Sequence, residues 1–253
     1  MNLEDYFSRI HYNGAAAASL NTLRELHFLH TQHIPFENLS PLAGAPVSIE
    51  LPDIVQKLVH DKRGGYCFEH NHLFKAVLEE IGFKVTGWSG RVLWNGQLAH
   101  LAPRTHMLLR VEVEGREYIA DVGFGSMTLT SPILFQPDIA QSTPHETFRI
   151  MQTDGHYVLE VQIRNVWVPV YMFYAEEQLL IDYKLANWYV STHPDSIFRK
   201  DLMVARTGAG VRYVLVNNVL SVRHTGKDAE KRELKDEAEV NAVLREIFGI
   251  ERK

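Results

Sequence analysis

Arg63-Gly64-Gly65-Tyr66-Cys67-Phe68-Glu69-His70-Asn71 holds the single cysteine of a 253-residue chain, where two glycines give way to a strongly periodic stretch. Phe74, Val77, Leu78 and Ile81 recur at the spacing of one helical face, and Gly82 stands where a left-handed C′ glycine belongs. The pattern predicts a helix with Cys67 in its first turn. The unpaired N–H groups and the macrodipole of a first turn favour an anion, which for a cysteine is the thiolate. Arg63 is expected to add positive charge nearby, and Gly64 and Gly65 to let the backbone turn sharply and come close to the sulfur. A lone cysteine is more often a small buried hydrophobe than a nucleophile. The choice depends on whether a base and an orienting carboxylate exist elsewhere.

Upstream of this stretch the chain reads as helical. Residues 3–11 place Leu3, Tyr6, Phe7 and Ile10 on one face, and Asn13-Gly14 ends the segment. A second helix starts near Ser19 or Asn21, where Thr22 and Glu25 fit a capping box, and Pro35 stops it. His27, His30 and His33 ride on that helix. No carboxylate or cysteine completes a metal set with them, so they are expected to be exposed or capping residues. Phe36, in Ile34-Pro35-Phe36-Glu37-Asn38-Leu39, is a core residue or a pocket wall, and its position alone favours core. Residues 53–60 form a further helix with Pro52 in its first turn. Residues 1–82 are thus expected to be one helical domain carrying the cysteine.

Downstream of Gly82 the texture changes. Residues 83–94 read as strand, Asn95-Gly96 as a turn, and His106 to Val113 as a strand that Glu114-Gly115 turns back through Glu117 to Val122. Thr147 to Gln152 and His156 to Arg164 flank the Asp154-Gly155 turn, and Trp167 to Phe173 is another strand. Residues 83–188 are therefore expected to form an antiparallel sheet or barrel. In residues 189–253 helix and strand mix. Leu202 to Arg206 and Arg212 to Val216 read as strands, and Glu233 to Phe248 as an amphipathic helix. The charged run Lys227 to Glu239 reads as the solvated face at its start.

Composition narrows the function. With 26 basic and 31 acidic residues the net charge is −5, and no basic cluster marks a nucleic-acid partner. One cysteine excludes an internal disulfide and suits a reducing cytoplasm. The acidic start Met1-Asn2-Leu3-Glu4-Asp5 is not a signal peptide, and no apolar run is long enough for a bilayer, so a cytoplasmic protein with no membrane partner is expected.

The 106–122 hairpin supplies the missing partners. With Glu114-Gly115 as a two-residue loop, Val113 pairs with Arg116 and His106 with Gly123. Met107, Leu109, Val111 and Val113 share one face, so His106 lies on the other. Tyr118, Ala120 and Val122 likewise leave Asp121 opposite them. Asp121 is then the diagonal neighbour of His106 on the same face, about 7–8 Å away at Cα. An imidazole and a carboxylate that can meet make the base-and-orienter half of a triad. Each residue alone is ordinary; the pair, in a chain with one cysteine at a helix start, is less so. Other motifs fail. Gly123-Phe124-Gly125 lacks the third glycine of a dinucleotide fingerprint, and Glu69-His70-Asn71-His72 puts its histidines on different helix faces. No metal is expected.

These segments resemble the arylamine N-acetyltransferases. The stretch 63–71 is similar to that family's cysteine signature, Ile34 to Leu39 to its early segment, and Thr105-His106-Met107 and Ala120-Asp121-Val122-Gly123-Phe124-Gly125 to its histidine and aspartate segments. The resemblance covers roughly the first half of the chain closely and the rest more loosely. It implies an α+β fold with an N-terminal helical bundle, a central antiparallel β-barrel and a C-terminal α/β lid, around a Cys-His-Asp site like that of cysteine proteases. It implies acetyl-CoA as co-substrate, an acetylated cysteine intermediate, and arylamine or arylhydrazine acceptors. Carried over by position, Cys67 is the nucleophile, His106 its base and Asp121 the orienter, with Phe36, Phe68 and Phe124 lining the acceptor pocket. Three other readings use the same residues. One is a macrolactam-forming amide synthase with a carrier-bound acyl donor. Another is a thiol hydrolase or transglutaminase-like enzyme. The third is a ligand-binding or redox-sensing module with a reactive cysteine.

Overall fold

The computed structural model describes residues 2–96, 98, 100 and 102–252. Helix α1 (Leu3–Ile10) starts from Asn2, whose side chain accepts the Glu4 N–H at 3.0 Å. Helix α2 (Leu20–His33) is capped by Ser19, which accepts the Thr22 N–H at 3.2 Å. The expected Thr22–Glu25 capping box does not form. Thr22 already lies inside the helix, and Glu25 accepts from Asn21 Nδ2 instead at 2.9 Å. Strand β1 (Phe36–Glu37), helix α3 (Leu39–Leu42) and helix α4 (Leu51–Val55) follow, and α4 continues as a π-helical stretch over Gln56–His60.

Helix α5 (Cys67–Ile81) has the expected limits. Tyr66 is its N-cap in extended conformation, Glu69 reaches back to accept the Tyr66 N–H at 3.0 Å, and Gly82 closes it at φ 105°. Gly64 and Gly65 have no positive φ, so a sharp turn is not their role. Close approach is: a Cβ on Gly64 would sit 2.0 Å from the Pro35 carbonyl oxygen, and one on Gly65 would sit 2.6 Å from Glu69 Oε2.

The next eight strands are β2 (Lys84–Val92), β3 (Arg104–Val113), β4 (Arg116–Ala120), β5 (Ile133–Leu134), β6 (Gln141–Ser142), β7 (Thr147–Thr153), β8 (His156–Ile163) and β9 (Val166–Phe173). They make one antiparallel sheet in the order β5-β4-β3-β2-β9-β8-β7-β6, curled into a nearly closed barrel. Glu114 and Gly115 both take positive φ, the conformation a two-residue hairpin turn demands, and the register places Val113 opposite Arg116 and Leu109 opposite Ala120. Alternation along β3 and β4 separates two cores. Met107, Leu109, Val111, Tyr118 and Ala120 pack with Leu73, Phe74 and Val77 of α5, whereas Leu108 and Ile119 face Trp88, Phe148 and Val170 within the barrel.

Helix α6 (Leu180–Thr192) leads to strands β10 (Met203–Gly208), β11 (Val211–Val216), β12 (Val219–His224) and β13 (Ala229–Glu233), then to helix α7 (Glu237–Glu246). With β1 these strands form a second sheet in the order β1-β10-β11-β12-β13, so the short segment holding Phe36 is tied to β10. The charged run expected to start the last helix is instead the edge strand β13. All five of its residues are exposed, and charges on both faces protect an open edge from further pairing. The helix starts later, at the Asp236 cap. Among the described residues no helix is long and apolar enough to cross a membrane.

Candidate active site

Cys67 is the first residue of α5 and is buried, at 4% exposure; its sulfur lies 3.5 Å from the Thr105 carbonyl oxygen on β3. The next residue on that strand is His106, whose Nε2 sits 2.7 Å from Asp121 Oδ2. The hairpin register thus brings together the imidazole and the carboxylate, and α5 packs on β3 so that the sulfur joins them. With Nε2 taken by the carboxylate, Nδ1 is the nitrogen left for the sulfur.

Asp121 is fully buried, yet its charge is well met. Its Oδ1 accepts from Asn71 Nδ2 and from the Gly123 N–H, each at 3.0 Å. Burial alone would raise its pKa; the His106 charge and hydrogen bond, with Asn71 and Gly123, more than offset this and hold the carboxyl below its usual range. The same opposition governs His106. Burial pushes the imidazole down, but the Asp121 carboxylate, by charge and by hydrogen bond, and the Cys67 sulfur lift it to about 10. The carboxylate and the sulfur therefore favour the protonated form of the imidazole between them.

Glycine makes the assembly possible at Gly123, where a Cβ would come 2.8 Å from Cys67 Cα and 2.9 Å from Asn71 Nδ2. Asn71, one turn beyond Cys67, also donates to the Met107 carbonyl at 2.7 Å and accepts the Val122 N–H at 3.2 Å, so it splices α5 to β3 and to the segment that follows β4. Its four-residue spacing from Cys67 is a signal that the sequence reading passed over. Thr128 Oγ1 donates to the Asp121 carbonyl at 2.8 Å, and Arg212 of β11 donates to the Thr128 carbonyl at 2.8 Å. Arg212 also lies 2.5 Å from Glu146, and no local pattern relates residues so far apart in the chain.

The sulfur and the imidazole open onto a cleft of about 560 Å³ between the barrel and the second sheet. Phe36, Phe124, Trp94, Tyr189 and Phe198 give it aromatic walls, and Arg223 and Lys231 come from β12 and β13. Phe36 is only partly buried and is a wall as well as a packing residue. Phe124 meets the His106 ring edge to face, with centroids 5.1 Å apart. Phe68 does not line the cleft. One residue round the helix from Cys67, it turns into the core, 1% exposed, against Tyr66 and Tyr183. Arg63 does not serve the sulfur either: its guanidinium lies 2.6 Å from the buried Glu37 carboxylate, which needs the cation.

The histidines of α2 depart most from expectation. His27 and His30 are fully buried, while His33, in the last turn, is half-buried. His27 Nε2 accepts the Asp121 N–H at 3.2 Å, so this ring backs the site from the helical side. Among the described residues no group of three histidine, cysteine, aspartate or glutamate side chains could hold a metal ion.

Comparison with known proteins identifies the family and the fold. A family model described as N-acetyltransferase matches residues 19–253. The arylamine N-acetyltransferase of Escherichia coli K12 is 41% identical over 249 residues, 98% of this chain and 88% of that protein. The solved structure of the Mycobacterium tuberculosis enzyme superposes with a TM-score of 0.95 at 41% identity, covering 98% of this chain and 94% of that one. That of Mycobacterium marinum arylamine N-acetyltransferase in complex with CoA gives a TM-score of 0.95 at 38% identity, over 98% and 93% of the two chains.

Proposed function

Because the chain belongs to the arylamine N-acetyltransferase family, we propose that it carries an acetyl group from acetyl-CoA to an arylamine or arylhydrazine in two steps, through a thioester on Cys67. What supports this most is one juxtaposition: a sulfur at a helix start beside an imidazole that a buried carboxylate keeps charged.

In the first step the Cys67 thiolate attacks the thioester carbonyl of acetyl-CoA. The bond to the CoA sulfur breaks, and the departing thiolate takes its proton from His106. One thioester replaces another, so the exchange is nearly neutral in energy. Acetylation removes the negative charge that helped to hold the proton on His106, and the imidazole is left as a base. In the second step the amine nitrogen attacks the acetyl carbonyl, His106 accepts the amine proton, and Cys67 leaves as a thiolate. Asp121 fixes the ring's tautomer throughout and offsets its charge.

An arylamine suits this chemistry because its nitrogen is neutral and nucleophilic near pH 7. Phe36 and Phe124 offer flat apolar contact to its ring and help to exclude water that would hydrolyse the acetyl-enzyme. Lys231, and Arg223 with Arg212 against the single Glu146 carboxylate, leave the cleft positive charge suited to the phosphates of CoA, and residues 189–253 act as a lid over it.

Intact-protein mass spectrometry tests the reading. Mixed with acetyl-CoA and no acceptor, the wild type should gain one acetyl group that an aminobenzoate then removes, and Cys67→Ala should gain none. No adduct on a thiol that iodoacetamide still alkylates quickly would indicate a different, carrier-bound donor. No adduct on an inert thiol would end the nucleophile assignment.

A further inference from the structure

Two histidines and a tyrosine that the chemistry above does not use form a buried line ending beside the cleft. Tyr6 Oη lies 2.9 Å from His30 Nδ1, His30 Nε2 lies 2.9 Å from His70 Nδ1, and His70 Nε2 lies 3.2 Å from the Pro35 carbonyl oxygen. All three side chains are 0% exposed. The terminal group settles where each proton is. A carbonyl only accepts, so His70 Nε2 carries a hydrogen. Nδ1 of the neutral ring is then bare and accepts from His30 Nε2–H, and His30 Nδ1 accepts from the Tyr6 hydroxyl. Burial holds His70 at about 4 and His30 well below its usual value, so the line is neutral throughout the ordinary pH range.

The line ends on the peptide that carries Phe36. His70 reaches Phe36 by a second route as well, since the two rings lie nearly parallel, at 14°, with centroids 6.4 Å apart. Phe36 also lies 6.0 Å from the Phe198 ring, and a Cβ on Gly125 would come within 3.3 Å of it. His70 stands on α5 one turn from Cys67. It thereby ties the position of an aromatic wall to the helix that presents the sulfur.

We propose that His70 is a positioning residue that sets Phe36 for the acceptor, so that acceptor selectivity, more than the reactivity of Cys67, depends on it. This rests on reading Cys67 as the acyl carrier. Misplacing a wall by a fraction of an ångström penalises the step in which a flat ring must be aligned. The acetylation step, which leaves that wall empty of acceptor, is penalised less.

The test separates the two steps. His70→Gln keeps an N–H donor and removes the ring; His70→Phe keeps a ring and removes the donor. Both are first checked for folding by circular dichroism and thermal melting. Rapid-quench mass spectrometry then follows acetylation of Cys67 by acetyl-CoA and its discharge by aniline and by 4-aminobiphenyl. Discharge by the larger amine is expected to fall about tenfold in His70→Gln, with the preference between the amines altered, and acetylation to fall less than about threefold. Combined with Phe36→Leu, the losses should not multiply. Equal losses in both steps for both amines, or losses that multiply in the double variant, would overturn the proposal. A separate readout needs no acyl transfer: the rate of Cys67 alkylation by bromoacetanilide relative to iodoacetamide. Its ratio should drop about fivefold in His70→Gln. An unchanged ratio overturns the role of His70, whether or not the wild type forms an acetyl-enzyme.

Discussion

His106 and His70 are both buried, one beside the start of α5 and the other on that helix, yet their surroundings favour a charged ring in the first and a neutral ring in the second. Burial pushes both imidazoles down; His106 nonetheless rises to about 10, while His70 falls to about 4. The difference lies in what each ring meets. His106 donates to the Asp121 carboxylate, which favours the cation, whereas His70 donates to a peptide carbonyl that returns too little to offset lost hydration. His27 sharpens the contrast. It touches Asp121 as well, but through that residue's backbone N–H, and a ring nitrogen that accepts must be bare; burial carries it to about 3 despite the nearby carboxylate. Among the described residues, the buried histidine whose ring bonds a carboxylate is the one pushed towards the charged form.

The strongest way to break the comparison is Asp121→Asn, which would make His106 one more neutral buried histidine. We expect acetyl transfer to fall about 10⁴-fold, the loss typical of a triad whose aspartate becomes its amide. Assay of arylamine acetylation, with a melting curve to confirm folding, checks it. A loss under tenfold would mean that Asp121 does not govern His106.

Stability against pH exposes both sets at once. His27, His30 and His70 have native pKa values below the unfolded value of 6.5. Their contribution is complete above pH 6.5 and is lost as pH falls below it, because only the unfolded chain binds those protons. For His70 alone this amounts to about 3 kcal/mol by pH 4. His106 has the opposite sign: its contribution is complete below 6.5 and is lost as pH rises towards about 10. Urea denaturation across pH 4–10 should therefore show maximal stability near neutrality. His70→Gln should lower the slope of the acid limb by about one proton, or 1.4 kcal/mol per pH unit. An acid limb as steep as in the wild type would show that His70 takes up its proton in the native state too.

The smallest effect comes from an ion pair two residues before His106 on β3. Arg104 and Glu176 meet at 3.0 Å, but their side chains are 34% and 62% exposed, and the guanidinium also lies over the Tyr174 ring. Water already solvates both charges. Arg104→Ala should cost about 1 kcal/mol or less in urea denaturation, with the shape of the pH–stability curve unchanged. A cost like that of a buried pair would mean that exposure does not set the scale.

The parts legible in the sequence were those with a period or a turn to read. The α5 face, its Gly82 cap and the Glu114-Gly115 hairpin located Cys67, and they set His106 and Asp121 on one face before any contact was known. The resemblance to a known family supplied the packing of helix on hairpin, which periodicity alone does not contain. The buried histidines of α2 were not legible, because a histidine on a buried face looks like one on an exposed face until its ring partners are seen. Nor was Phe68 distinguishable from Phe36: both neighbour a key segment, and only the helical phase turns Phe68 into the core. Strand β13 carries the charges of a solvated helix because an open edge needs them too. The Arg212–Glu146 latch joins residues far apart in the chain, and no local rule relates them.

Histidine NMR with ¹⁵N-labelled rings at pH 7 tests the central claim most directly. One resonance set, assigned to His106 by its loss in His106→Gln, should show both ring nitrogens protonated and should stay so until pH approaches about 10. The sets of His27, His30 and His70 should show neutral rings with one protonated nitrogen each. A His106 ring that is neutral at pH 7 would contradict the charged imidazole from which the proposed acetyl transfer begins.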